Sequence, residues 1–283
     1  MTRLEAYAER RTRDALLAAI EPFSTDVDRG SAALQAVSSA WSRRLFDGPF
    51  YLSAAPSRDL PGASLVFVQS RDGDTVADDP STLGGGAADK HLIYEGLSRV
   101  AADGVLSGAA TIRGAELVLS IWHPELVALR ASLGLPRHPA QIVATRRGLD
   151  LEGWLMFNEP ALRVLVIAQP PAAAAMRDAL AARPWITPIV MTDEHDLPGA
   201  FRQLRQHGVG RVSCIGGRTI AAQLIDAGLI QDLYLTTSAR SAGEPNTPLS
   251  SRPLQGETIV RKHGTGVDAG VVFEHLRLVG DGL

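Results

Sequence analysis

The segment 212–236 constrains the fold more than any other part of the chain, because strand and helix patterns alternate within it. Val212–Ile215 is a short apolar run that leads directly into a double glycine, Gly216-Gly217. Residues 219–227 then carry apolar side chains at the spacing of one helical face. Residues 232–236 alternate between apolar and polar positions, as a half-buried strand does. The order strand, glycine turn, helix, strand predicts a unit of an α/β protein.

The double glycine in this segment is a candidate phosphate site. Because Gly216 and Gly217 have no side chains, a ligand can approach the backbone N–H groups at the start of the helix that follows. The dipole of that helix favours an anion at the same place. The same pair also fits a simple tight turn, because two glycines are far less specific than a complete nucleotide-binding fingerprint.

Charge and hydropathy exclude several classes of protein. The 283 residues include 28 Lys+Arg and 31 Asp+Glu, so the net charge of −3 favours neither nucleic acid nor an anionic membrane as partner. No apolar run approaches the roughly 20 residues of a membrane span. The N-terminal residues show no apolar signal-peptide core. We therefore expect a soluble cytoplasmic protein that acts on a small molecule.

Cysteine and histidine usage argues against metal and nucleophile chemistry. Cys214 is the single cysteine, which excludes an internal disulfide and a cysteine metal cluster. None of the seven histidines forms a close pair at metal-ligand spacing, so we predict no metal site. A Gly-x-Ser-x-Gly hydrolase motif is also missing from the sequence. Cys214 fits either a nucleophile or a small buried residue at a strand end, and the second reading is favoured.

From Ser64 to Leu278, strand patterns alternate with helix patterns, which predicts an α/β fold with a mostly parallel sheet covered by helices. The last two predicted strands, 258–261 and 271–278, follow each other closely, so we expect an antiparallel pair at the sheet edge. The other predicted strands are 65–69, 104–107, 141–145, 163–168, 188–191, 212–215 and 232–236. The predicted helices of this part are 87–101, 124–132, 172–182, 198–207 and 219–227.

The N-terminal part has a different pattern. Residues 2–19 and 32–46 predict two helices, so we divide the chain into a helical N-terminal extension (1–50) and a nucleotide-binding domain (51–283). The extension would cover the sheet or serve as a dimer arm.

Three further loops follow predicted strands, and ligands of α/β sheets bind at the carboxyl ends of strands. These loops are 69–74, 107–113 and 145–148. The second contains small residues around the hydroxyl group of Thr111. The third contains two arginines that could hold a phosphate between them, although a solvated basic turn fits as well. In the first loop, Asp72-Gly73 also fits a local turn. Together the loops supply backbone donors, a hydroxyl group and cations, but no nucleophile. This combination favours a phosphate-bearing cofactor.

Three segments, in this order and spacing, resemble the reductase domain of riboflavin biosynthesis. They are Ser70-Arg-Asp-Gly, the run LSRVAADGVLSGAATIR at 97–113, and the run IGGRTIAAQLIDAGLIQDL at 215–233. That family has the dihydrofolate reductase-like fold, and the resemblance covers about Ser64 to Leu278. The family reduces a ribosylamino-uracil phosphate with NADPH, passing hydride to the sugar carbon of an imine. The resemblance also implies a homodimer.

The resemblance implies roles for individual residues. Asp72 would be catalytic, facing the reacting pocket, with the proton coming from Asp72 or from water. The implied substrate contacts are Ser70, Asp72 and Arg99. The implied cofactor contacts are Gly108 and Thr111 at the nicotinamide and its ribose, Thr145, Arg146 and Arg147 at the 2′-phosphate, and Gly216, Gly217, Arg218 and Thr219 at the pyrophosphate.

The chain also departs from the family pattern on the substrate side. Ile215 stands where the family usually has a glutamate that binds substrate. Residues 113–122 do not match the family, and 238–245 replace its late glycine-rich loop. The sequence therefore predicts an NADPH-dependent reductase acting on a pyrimidine- or pteridine-like molecule. The alternative is a non-catalytic nucleotide-binding or assembly protein on the same fold.

Overall fold

The computed structural model describes residues 1–77, 80–113, 116–250 and 253–278. Within these ranges the chain forms twelve strands. They are β1 (Phe23–Asp28), β2 (Gln35–Val37), β3 (Phe50–Leu52), β4 (Gly62–Gln69), β5 (Gly104–Gly108), β6 (Ala140–Thr145), β7 (Val164–Ala168), β8 (Ile186–Val190), β9 (Arg211–Cys214), β10 (Asp232–Thr237), β11 (Gly256–Gly264) and β12 (Val272–Leu278).

The helices of the described ranges after residue 50 depart from the predictions in three ways: one changes type, the helix predicted over 172–182 is divided into two, and the short helices Ala109–Ile112 and Leu155–Asn158 were not predicted. The segment predicted as one helix over 87–101 is a π-helix (Ala88–Leu97) continued by a short α-helix. Two 3₁₀ turns cover Pro80–Leu83 and Gly266–Asp268. The α-helices are α1 (Arg3–Leu17), α2 (Ala40–Leu45), α3 (Ser98–Val100), α4 (Ala109–Ile112), α5 (Pro124–Ser132), α6 (Leu155–Asn158), α7 (Pro170–Ala175), α8 (Arg177–Ala181), α9 (Leu197–Gln206) and α10 (Arg218–Asp226).

Ten strands form one sheet in the order β1-β11-β12-β10-β4-β9-β5-β6-β7-β8. From β10 to β8 all neighbours are parallel, which confirms the predicted α/β fold with a mostly parallel sheet. Strands β10, β12, β11 and β1 pair antiparallel, so the predicted antiparallel arrangement of the last two strands is also confirmed. The outermost strand on that side is β1 rather than a C-terminal strand.

The prediction of a purely helical N-terminal extension is wrong in two places. The predicted helix over 32–46 is instead β2, paired with β3, followed by the six-residue helix α2. Ser39 caps α2 through a capping box, so the helix starts there and not at residue 32. Strand β1, which was not predicted, pairs with β11 and buries Phe23 against Phe46 and Phe273. Tertiary pairing thus overrides the local helical pattern.

Helix α1, which was predicted correctly, covers one face of the sheet. Thr2 caps it through a capping box with Glu5. Tyr7 packs edge-on against Trp122, with 5.4 Å between the ring centres. Both belong to an apolar cluster that includes Val105 and Val143 of the central strands. The division of the chain at residue 50 stays a prediction.

The two sides of the sheet have separate cores. Val105 and Val143 lie in the cluster under α1, whereas their neighbours Leu106 and Ile142 lie in a cluster under α9 and α10. This alternation is the period of two expected for strands that are buried on both faces. Across the described ranges, we find no helix whose length and apolarity would let it cross a membrane.

Candidate functional site

The predicted loops meet at one edge of the sheet. Strands β4, β9, β5 and β6 are neighbours and run parallel, so their carboxyl ends lie side by side. These strands end at Gln69, Cys214, Gly108 and Thr145, and each predicted loop begins at one of these ends. The topology therefore brings the four loops together along this edge, where ligands of such sheets bind.

The double glycine lies in close contact with the end of β5. Gly216 and Gly217 have φ angles of +133° and +84°, which side chains other than glycine's rarely adopt. The N–H of Gly108 donates to the carbonyl of Gly216 at 3.1 Å. A Cβ atom on Gly217 would lie 3.3 Å from the Cα of Gly108. The two glycine backbones therefore approach each other closely, beside a methyl group of Ile220.

Helix α10 starts immediately after this pair with its first turn open to solvent. Gly217 is the N-cap residue and supplies no side-chain acceptor. Arg218 and Thr219 are exposed, and the first backbone bond of the helix runs from the N–H of Ala221 to Gly217. N–H groups of a first turn lack intrahelical acceptors and attract anions. The geometry therefore fits a phosphate group beside Arg218 and Thr219.

The loop after β6 presents arginines, and its threonine shapes the turn. The hydroxyl of Thr145 donates to the carbonyl of Gly148 at 2.9 Å. Because this bond uses the hydroxyl proton, Thr145 would have to break it to donate to a phosphate. Arg146 and Arg147 are exposed, so their guanidinium groups are accessible at the edge. Thr111, in the short helix after β5, is half-buried.

The loop after β4 is built around Ser70. Its buried hydroxyl oxygen accepts hydrogen bonds from the N–H groups of Asp72 and Asp74, at 3.3 and 3.2 Å. Ser70 thus fixes the backbone of the loop, which holds the Asp72 side chain in solvent. Ser70, predicted as a substrate contact, is thus buried beneath the loop, whereas Asp72 is exposed, and the substrate contacts of both stay predictions.

Asp72 faces an open cleft of about 650 Å³, a typical size for a small-molecule site. The opposite wall is formed by residues of 241–248, which overlap the stretch 238–245 that departs from the family pattern. This segment is bound tightly, because the N–H of Thr247 donates to the Asp74 carboxylate at 2.9 Å and the N–H of Thr75 donates to Thr247. The cleft is lined by Asp72, Gly73, Asp74, Ser241, Ala242, Gly243, Pro245, Asn246 and Pro248.

Arg99, a predicted substrate contact, is not brought to this edge. It lies in α3, just before the start of β5, whereas the cleft lies beyond the strand ends. Arg99 is only 2% exposed, and its guanidinium group donates to the carbonyl of Ser120 at 3.0 Å and lies over the ring of Tyr94. The physical reason is that the helix layer encloses the side chain, so its guanidinium group cannot reach the ligand edge. This geometry gives Arg99 a structural role.

Asp89, at the start of the π-helix, is a candidate that sequence analysis missed. Burial raises the pKa of its carboxyl group to about 6, a neighbouring Asp268 carboxylate adds to the rise, and the Thr236 hydroxyl opposes it. Thr236 pairs in register with Val68, two residues before Ser70, so this carboxyl group lies close to the same edge. One aspartate in a helical pattern carries no sequence signal, because its burial depends on tertiary packing.

Cys214 is the small buried residue at a strand end that the sequence favoured. It is fully buried as the last residue of β9, and burial raises the pKa of its thiol to about 12. The thiolate, which is the reactive form, is therefore scarce near neutral pH. We expect no reaction with Ellman's reagent in the native protein and one equivalent after denaturation in guanidinium. Rapid labelling of the native protein would contradict this burial.

Three solved structures with the same fold are described by names that refer to RibD, to pyrimidine reduction or to riboflavin biosynthesis. A pyrimidine reductase-like protein from Corynebacterium diphtheriae is 21% identical, with a TM-score of 0.64 over 78% of this chain and 93% of that chain. RibD of Acinetobacter baumannii is 17% identical, with a TM-score of 0.61 over 78% of this chain and 58% of that one. The riboflavin biosynthesis reductase of Saccharomyces cerevisiae is 16% identical, with a TM-score of 0.53 over 78% and 91%. At these identities, the likeness establishes the fold.

No curated protein matches the chain. A family model does match, and it is the one described as the RibD C-terminal domain, over residues 64–271. The matched region contains all four loops at the ligand edge, the π-helix with Asp89, and the walls of the cleft. It begins after β1 and α1, so the N-terminal part lies outside it. Because the match covers well over half of the 283 residues, the chain belongs to the RibD C-terminal domain family.

Proposed function

We propose that this chain is an NADPH-dependent reductase that transfers a hydride to a pyrimidine- or pteridine-like small molecule. The observation that carries the proposal is the glycine contact between Gly108 and Gly216-Gly217, which leaves backbone at the start of α10 open to a phosphate. Family membership supports the same conclusion. The solved relatives bear names that refer to pyrimidine reduction and riboflavin biosynthesis.

The residues of the edge fit NADPH. Gly216, Gly217, Arg218 and Thr219 would hold its pyrophosphate, and Arg146 and Arg147 its 2′-phosphate, with Thr145 shaping their turn. Gly108 and Thr111 would line the nicotinamide and its ribose. When bound, the cofactor supplies a hydride to a C=N carbon of the substrate, and the nitrogen then needs a proton.

Asp89 is the residue that we assign to hold this proton. A general acid works best when its pKa lies near the working pH, and burial brings the pKa of Asp89 to about 6. Asp72, which is exposed at the cleft, would instead accept hydrogen bonds from N–H groups of the substrate. Proton transfer from Asp89 leaves a carboxylate, which bulk water reprotonates after product release.

The substrate side favours a molecule different from the usual substrate of this pathway. Ile215, at the position of the family glutamate, is 4% exposed and belongs to the apolar cluster with Val105 and Ile112. It therefore offers no polar contact. Residues 238–245, which stand in place of the family's late glycine-rich loop, contribute to the other wall of the cleft. The proposed substrate is thus a planar heterocycle of the same class, but one that needs no polar contact with the side chain at position 215. Homodimer formation stays a prediction.

Titration with NADPH tests the proposal. We expect quenching or enhancement of NADPH fluorescence at micromolar cofactor, followed by oxidation with one member of a pyrimidine and pterin panel. Failure to bind micromolar NADPH would remove the reductase assignment. Binding without oxidation of any member would favour the alternative, a non-catalytic nucleotide-binding or assembly protein, which the apolar Ile215 keeps open.

The arginines of the β6 loop make a separate prediction about cofactor choice. Replacing Arg146 and Arg147 by alanine should weaken NADPH binding roughly tenfold, because charge-assisted hydrogen bonds to the 2′-phosphate are lost. The affinity for NADH should not change, since NADH has no such phosphate. Fluorescence titration of both cofactors measures the difference. Equal losses for NADPH and NADH would place the 2′-phosphate elsewhere.

A further inference from the structure

Helix α1 contacts the π-helix through a mostly buried ion pair. The Arg11 guanidinium donates to the carboxylate of Glu95, and the two side chains are only 16% and 11% exposed. Nδ1 of His91, one turn earlier in the π-helix, lies 3.7 Å from the other oxygen of Glu95. Beside the pair, Tyr94 of the π-helix packs against the apolar cluster that contains Tyr7 of α1. Helix α1 itself lies before the region matched by the family model.

This ion pair is incompletely satisfied. Four buried polar atoms of the cluster have no hydrogen-bond partner, namely Nε of Arg11, Nδ1 of His91, Oε2 of Glu95 and Nε of Arg99. Burying charges costs free energy that their attraction repays only with excellent geometry and full hydrogen bonding. A pair of this kind contributes little as a source of stability. Its effect is instead to restrict which arrangements of α1 and the π-helix are allowed.

The π-helix is an element whose position and register need to be fixed by contacts with its neighbours. π-helical turns are rare in proteins, and they are frequent at functional sites. At its C-terminal end, Gly96 has non-helical angles, φ −126° and ψ −107°. A Cβ atom on Gly96 would lie 2.7 Å from Leu126 and 2.8 Å from the carbonyl oxygen of His91. Glu95 stands next to this break, and Asp89 stands at the other end of the same helix.

We propose that Arg11 and Glu95 are positioning residues that hold the π-helix in its register and thereby place Asp89 at the ligand edge. Neither residue touches the cleft or the glycine turns. The pair acts through the helix, because Glu95 is fixed from outside by α1 while Asp89 is carried on the first turn. Asp89's part as proton donor rests on the proposed function, whereas its placement by Arg11 does not.

The test compares Arg11→Met with Arg13→Met. Arg13 is on the same helix and pairs with Glu9 at 3.2 Å, but both of those side chains are mostly exposed. The first readout is the pKa of the Asp89 carboxyl group, followed by carbon NMR in the protein without cofactor. We expect the pKa to fall in Arg11→Met, since a displaced Asp89 is more hydrated, and to stay constant in Arg13→Met. Removing a positive charge would by itself raise the pKa, so the sign identifies displacement.

The second readout is catalysis. Arg11→Met should lower kcat roughly tenfold with an unchanged Kd for NADPH, because a small misplacement of a catalytic group is costly. Exchanging the pair, Arg11→Glu with Glu95→Arg, should restore most of the kcat and of the Asp89 pKa.

The two readouts separate the two proposals. An unchanged or raised Asp89 pKa in Arg11→Met would overturn the positioning role, whatever the activity. A lowered pKa in a protein that reduces no substrate would support the positioning role and count against the reductase assignment. If Arg11→Met does not fold, Arg11→Lys serves in its place, since it keeps the charge but loses the planar fork. A smaller fall in the Asp89 pKa would then support the positioning role, and an unchanged pKa would contradict it.

Discussion

Gly217→Asp is expected to abolish NADPH binding in a protein that remains folded. The new carboxylate would stand at the first turn of α10, where the pyrophosphate is proposed to lie, and like charges repel strongly in a confined site. The Cβ atom would also lie 3.2 Å from Ile220 and 3.3 Å from Gly108. Fluorescence titration should therefore detect no binding at cofactor concentrations that saturate the unaltered protein.

Gly217→Ala is the matched control, because it adds the same Cβ atom at the same φ of +84° without a charge. A non-glycine residue in this region costs about 1–3 kcal/mol of stability, so both variants should melt at lower temperature. Only the aspartate should eliminate binding, whereas the alanine should weaken it. Retention of unaltered NADPH affinity by Gly217→Asp would rule out the double glycine as a phosphate site.

Asp89→Asn is expected to lower kcat by about 100-fold or more, the usual contribution of a positioned general acid. Asparagine has nearly the same shape but cannot deliver a proton. The Kd for NADPH should be unchanged, since Asp89 lies beside β10 and outside the glycine turns. The matched control is Asp72→Asn, which should mainly raise KM. If Asp72→Asn instead abolishes turnover and Asp89→Asn does not, the two roles are reversed.

The pH dependence follows from the raised pKa of Asp89, which is about 6 in the folded protein. The protonated carboxyl group is the active form, so kcat should be highest below pH 6 and fall above it, and this fall should vanish in Asp89→Asn. The unfolded chain has an ordinary carboxyl pKa of 3.8, so folding binds a proton and the stability falls as the pH rises from about 4 to about 6. Relative to the unaltered protein, Asp89→Asn should gain stability over that interval, which separates loss of catalysis from loss of fold in thermal melts.

The sheet and the location of the ligand edge could be predicted because they depend on local patterns. Apolar runs of four to six residues that alternate with helical patterns identify buried parallel strands. One such run predicted a strand over Arg163–Ala168, and the observed strand is Val164–Ala168. Because parallel strands share their carboxyl edge, the loops after β4, β5, β6 and β9 had to meet. The double glycine indicated the place where the start of α10 and the end of β5 approach each other closely.

What the sequence could not predict depends on contacts between distant residues. Strand β1 is stable only because β11, more than 200 residues later, offers it an edge. The winding of Ala88–Leu97 as a π-helix depends on how its C-terminal end packs at Gly96. The pKa of Asp89 depends on burial, and the enclosure of Arg99 depends on Ser120 and Tyr94. None of these has a local pattern.

The central position of β9 has a consequence for how the protein is made. Strands β4 and β5 flank β9 and do not pair with each other, although β9 is synthesised about 100 residues after β5. A nascent chain that has not yet reached Arg211 already contains the loops after β4, β5 and β6, but β4 has neither of its sheet neighbours, β9 and β10, and nothing joins it to β5. The cofactor edge therefore closes late, after long-range pairings that form slowly. Until then the unpaired sides of β4 and β5 are exposed edges, so this interval is the one in which the growing chain most needs protection from aggregation.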